Sequence, residues 1–136
     1  MKKALLTVTA AIEVGTGVAL LVWPPAPVQL LLGSSLDTPA ALTVGRVAGA
    51  ALLALGAACW LARNDQQSRT ATGLITAMLL YNTAAVALLA FAGIGSGLRG
   101  VGLWPAVVLH AALAGWCIAS LRPSAEAGAR RPRDAS

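Results

Sequence analysis

The chain has 136 residues, 57% of them hydrophobic and only 11% charged, with a formal net charge of +5. One domain suits that length, and an apolar fraction so far above that of ordinary soluble domains makes lipid the expected solvent. The basic residues sit in short flanks and a C-terminal tail without interleaved aromatics, which argues against a nucleic-acid partner, and Cys59 and Cys117 lack the spacing of a zinc site or redox pair.

Crossing the hydrocarbon of a bilayer, about 30 Å thick, takes roughly 20 helical residues at about 1.5 Å each. Four runs meet that requirement. The first covers 4–23; Lys2 and Lys3 before it imitate a secretory signal, but the apolar stretch continues past Glu13 to Trp23, so a retained helix is expected. Pro24 and Pro25 end it by removing backbone donors and disfavouring helix before the ring. In the connection that follows, 26–32 reads as a short helix lying in the outer interface, stopped by Gly33, with Asp37 as a cap or turn residue.

The second run covers 40–62 and stops at Arg63-Asn64-Asp65; the third, 70–91, lies in a stretch with no formal charge between Arg69 and Arg99. A glycine-rich connection leads to the fourth run, 103–121, which ends before Arg122-Pro123. The remainder, 123–136, is expected to be a disordered basic tail. No strand-like alternation favours a barrel, the other way to satisfy backbone polar groups in lipid. The expected fold is therefore all-α: a four-transmembrane-helix bundle with one interfacial helix in its first, outer loop.

Lys and Arg cluster before run one, around the loop between runs two and three, and after run four, with only Arg99 on the other side. That bias predicts an inner (plasma) membrane protein with both termini cytoplasmic. Trp23, Trp60, Trp104 and Trp116 fall near run ends, as interfacial anchors do.

Polar side chains inside spanning helices are expensive and turn inward, so each is a candidate for function. Glu13, Arg46, Asn82 and His110 supply one per run, with Tyr81 beside Asn82. By helical rise, Glu13 and Asn82 lie roughly 15 Å inward of the outer helix ends, His110 about 10 Å and Arg46 about 9 Å. One shared layer is feasible, and the cost of an unpaired charge in lipid predicts a Glu13–Arg46 ion pair completed by Tyr81, Asn82 and His110. Gly45, Gly49 and Gly56, with Gly15 and Gly17 after Glu13, would permit close helix approach. The seven threonines at positions 7, 9, 16, 43, 72, 76 and 83 are expected to bond their own helix backbones.

Ala11-Ile12-Glu13-Val14-Gly15-Thr16 resembles the first helix of small multidrug-resistance transporters, whose glutamate binds protons and cationic drugs. An arginine in run two, a histidine in run four and the long first connection depart from that family, so the resemblance implies a role for Glu13 alone. In layout, Gly17-Val18-Ala19-Leu20-Leu21 before prolines and Gly45-Arg46-Val47-Ala48-Gly49 opening run two are similar to small bacterial four-helix proteins of the DoxX-like kind. That resemblance implies a fold more than an activity.

Three functions stay open on these residues: binding or moving a small molecule or proton, or serving as an accessory subunit; membrane-embedded catalysis on a lipophile, with Glu13 and His110 as acid and base; and a purely structural polar cluster. No cofactor or metal is expected. The expected partners are the bilayer and either further copies of the chain or another membrane protein.

Overall fold

The structure, a computed structural model, describes residues 1–65 and 68–122; the expected tail at 123–136 lies outside the described residues. All regular structure in the described residues is helical: α1 (Lys2–Val22), α2 (Pro25–Leu32), α3 (Pro39–Ala62), α4 (Arg69–Ile94) and α5 (Leu103–Leu121). All but α2 are long and apolar enough to cross a membrane.

Local chemistry explains the boundaries. Pro25 opens α2, where a missing N–H costs nothing, and Gly33 closes it in the left-handed region at φ 68°. The Gly33 N–H donates to the Gln29 carbonyl at 2.8 Å. Pro39 opens α3, so the cap falls on the residue before it: the Thr38 hydroxyl accepts from the Ala41 N–H at 3.1 Å. Asp37 is instead a turn residue, accepting from the Ser35 hydroxyl at 2.5 Å. Ser68 caps α4 by accepting from the Ala71 N–H at 3.0 Å. α4 runs to Ile94, beyond the expected end at 91, because Ala92, Gly93 and Ile94 bring no charge or proline to stop it.

Inside the helices the hydroxyls of Thr7, Thr43, Thr72, Thr76 and Thr83 donate to the carbonyl four residues earlier, at 2.8 to 3.2 Å. Each needs no partner from another helix, which is the arrangement an apolar surrounding favours.

The long helices form two antiparallel pairs, α1 with α3 and α4 with α5, which meet each other more sparsely. Backbone proximity defines the first pair. A Cβ on Gly49 would stand 2.8 Å from the Gly17 carbonyl oxygen and 2.9 Å from the Leu21 nitrogen; one on Gly56 would stand 3.0 Å from the Val14 nitrogen. Gly45, expected to join this contact, faces the Pro24 ring instead, with 3.1 Å from a Cβ to the proline Cβ. It lies beyond the end of α1, where the chain has already turned.

The dry core occupies the end of the molecule away from α2. Leu5, Leu6 and Ala10 of α1, Cys59 of α3, Ile75 and Met78 of α4, and Leu113 and Cys117 of α5 form one buried cluster. Both cysteines belong to it as free thiols, compact packing groups rather than a bridge. Trp23, Trp60 and Trp104 are exposed, whereas Trp116 packs against this core. The Arg63 guanidinium lies 3.5 Å from the Trp60 ring centroid and also donates to the Trp60 carbonyl.

The glycine contact can be tested. Gly49→Ala is expected to destabilise the purified protein by about 1–3 kcal/mol, because the new methyl meets backbone that cannot rotate away. Gly15→Ala, whose Cβ would meet nothing within 4 Å, is expected to be neutral or to stabilise by up to about 1 kcal/mol through helix propensity. Denaturant titration of both variants in detergent, followed by helical circular dichroism, checks the contrast; equal midpoints would reject the close approach of α1 and α3.

Candidate functional site

Opposite the dry core, beneath α2, lies a cavity of about 340 Å³. Its apolar walls come from Ile12 of α1, Leu30 and Leu31 of α2, and Ala106 and Leu109 of α5. Its polar groups are Glu13 and Thr16 of α1, Tyr81 of α4 and His110 of α5. Helical spacing places Glu13 and Thr16 on one face at i and i+3, and the same geometry aligns Ala106, Leu109 and His110. The cavity therefore lies at the seam between the two helix pairs, with its carboxyl group on one pair and its imidazole on the other.

The histidine is held from behind. Asn82, fully buried on α4, donates from Nδ2 to the Met78 carbonyl at 2.7 Å and places Oδ1 2.8 Å from His110 Nδ1. Tyr81, one residue earlier, stands edge-on to the same imidazole, with ring centroids 5.7 Å apart and planes at 81°. The Tyr81 hydroxyl also neighbours the Glu13 carboxyl. Asn82 and Tyr81 thus fix the imidazole from two directions.

Glu13 is held differently. Its side chain is only 2% exposed, and its Oε1 has no hydrogen-bond partner. Burying a carboxyl oxygen without a donor costs free energy, so its retention needs an explanation other than packing.

Of the residues expected to converge, Glu13, Tyr81 and His110 line one cavity and Asn82 supports it from outside. Arg46 does not join them. It is exposed on α3, and it makes no ion pair with Glu13, whose Oε1 stays unpartnered. The physical reason lies in the α1–α3 packing: the strip of α3 pressed on α1 runs through Gly49 and Gly56, and Arg46, about 80° of helical rotation from Gly56 at about 100° per residue, falls on the flank of that strip, where it is exposed. At seven residues from the start of α3, a side chain of that length can extend along the helix toward its end, as arginines at apolar boundaries do.

Sequence reasoning missed the roof. It placed α2 in an interface without seating it on anything, yet Leu30 and Leu31 close the cavity and α2 is tied to the segment before α5. The Gly102 N–H donates to the Leu30 carbonyl at 2.9 Å. Gly100 sits so close to the Leu31 carbonyl that no Cβ would fit between them. The readable signal was the pair Gly100 and Gly102, two residues apart in a connection that needed no left-handed turn at either position.

Because Glu13 and Arg46 do not meet, their substitutions are expected to act independently. In a double-mutant cycle with Glu13→Gln and Arg46→Gln, measured by denaturant titration, the two effects should add to within about 0.5 kcal/mol. A larger coupling, with the double variant less perturbed than Glu13→Gln alone, would restore the ion pair. Compared with known proteins, the chain matches no family model, no curated protein and no solved structure.

Proposed function

We propose that this chain is an integral membrane protein, a four-helix bundle of the inner (plasma) membrane with both termini cytoplasmic. Its seam cavity, on this reading, binds a small lipophilic molecule, with Glu13 and His110 able to take or release a proton beside it. Support for the membrane comes from helix length and from an exterior on which Leu61, Leu80, Leu88, Phe91 and Val108 are exposed. Support for the orientation comes from the Lys and Arg bias between connections.

The observation that carries the site is the unpartnered Glu13 oxygen at a mostly apolar cavity. A cluster serving only to hold helices in register would close its hydrogen bonds internally, as Asn82 and His110 do with each other. Glu13 does so only in part: the Tyr81 hydroxyl neighbours its carboxyl, but Oε1 has no partner, and in a low-dielectric setting that oxygen is completed by a proton or by a donor brought from outside. Concave, apolar surroundings with a few convergent polar groups are the usual form of a small-molecule site.

Photolabelling tests the site. A short diazirine-bearing alkanol, irradiated with the protein in bilayer nanodiscs and mapped by mass spectrometry, is expected to form adducts on the cavity-lining segments of α1 and α5. Ala106→Trp, which fills the cavity, should lower those adducts about tenfold while leaving labelling of the exposed α3 face unchanged. Uniform labelling along all lipid-facing helices, insensitive to Ala106→Trp, would reject a binding cavity. For the orientation, a fluorescent-protein fusion at the C-terminus should fluoresce and an alkaline phosphatase fusion there should be inactive; the reverse pattern would invert the topology.

A further inference from the structure

We infer that Asn82 fixes His110 as a hydrogen-bond acceptor toward the cavity, so that the ligand is a lipophile bearing hydroxyl or N–H donors. The inference rests on the cavity reading above and adds to it the chemical class of the occupant. It starts from the Met78 carbonyl, which has lone pairs and no hydrogen. The group 2.7 Å from that oxygen must therefore be the amide nitrogen of Asn82, not its oxygen. With Nδ2 so assigned, Oδ1 faces His110 Nδ1 at 2.8 Å.

An amide oxygen only accepts, so Nδ1 is the ring nitrogen that carries hydrogen. In the neutral ring, Nε2 is then left with a lone pair. Nδ1 is occupied by Asn82, and among the described residues no protein group bonds Nε2. His110 borders the cavity, and Nε2 is the nitrogen available to it.

Ionised, as at the mildly alkaline pH of the test below, Glu13 adds a second acceptor. Its carboxyl lacks a protein donor at Oε1, and no lysine or arginine lines the cavity. Tyr81 and Thr16 carry hydroxyls that serve either role. The lining therefore presents more lone pairs than hydrogens. A ligand that only accepts, such as an ether or a carboxylate, would oppose lone pair to lone pair and leave groups unpaired on both sides. A ligand that donates completes Glu13 and Nε2 together.

The sequence contains a single histidine, so protein labelled with 15N-histidine reports one imidazole. The test uses this labelled protein in nanodiscs at mildly alkaline pH, alone and with 4-hexylresorcinol or its dimethyl ether. Without probe, the expected spectrum shows protonated Nδ1 and unprotonated Nε2. The resorcinol should shift Nε2 toward the hydrogen-bonded position, and the dimethyl ether should bind about tenfold more weakly or not at all. Asn82→Leu should release the ring to the Nε2–H tautomer and abolish that preference, whereas Asn82→Asp, which also accepts, should retain Nδ1–H.

A wild-type ring protonated at Nε2 overturns the inference and leaves the cavity reading standing. Equal binding of the two probes does the same. If neither probe perturbs the imidazole despite the Nδ1–H tautomer, the donor class fails. If, in addition, the diazirine probe labels the helices uniformly, the cavity reading fails with it. Should Asn82→Leu not fold, the wild-type tautomer and the paired probes still decide.

Discussion

The side-chain amide of Asn82 lies between two partners that determine its orientation. One is a backbone carbonyl within α4, already accepting from the helix and able to accept once more; the other is the imidazole of His110 on α5. In water such an amide would exchange partners freely, but fully buried it has no alternative. The same pair of bonds therefore sets the register of α4 against α5, the tautomer of the histidine, and the chemical character of one cavity wall. Packing of the hydrophobic core would permit small sliding of two smooth helices; a directional bond between interior groups does not.

The first helix pair is organised by another principle. Where α4 and α5 are joined by a side-chain bond, α1 and α3 are joined by the omission of side chains, with glycine facing glycine so closely that even a methyl group is excluded. Close backbone approach yields dispersion contact along the whole crossing, which in the proposed lipid setting is the principal attraction between helices. Glu13 is carried by this pair, and its depth follows from the glycine contact on the neighbouring face. The dry cluster of Leu5, Leu6, Ile75, Met78 and Leu113 then joins the pairs at one end. At the other end they diverge enough to leave the cavity.

Helix existence and approximate extent were legible because charge and proline punctuate this chain sharply: Pro24-Pro25, Arg63-Asn64-Asp65 and Arg122 each fall within a residue or two of an observed end. Caps were less legible. Ser68 was indistinguishable in sequence from any other loop serine until Arg69 was seen to begin a helix. For the site, depth along the helix axis was recoverable from residue counts, which is why Glu13, Tyr81, Asn82 and His110 were grouped together. Azimuth was not. Arg46 was matched to Glu13 by depth and by charge, but its direction depends on which face of α3 is pressed on α1, and that was decided by Gly49 and Gly56. Electrostatic need alone could not outweigh a steric preference worked out over the length of two helices.

The roof of the cavity has a further implication. α2 is joined to the rest of the molecule by chain on both sides and by a main-chain bond from Gly102 to Leu30, and Gly100 lies against the Leu31 backbone. Contacts made by backbone alone are indifferent to side-chain identity on the facing segment, so the outward residues of α2 can vary without loosening the seat. Glu13 and His110, by contrast, stand on separate halves of the molecule. Any shear between those halves alters the gap between acid and imidazole while leaving the interior of each half intact, so the separation of these two groups registers how the halves sit against each other.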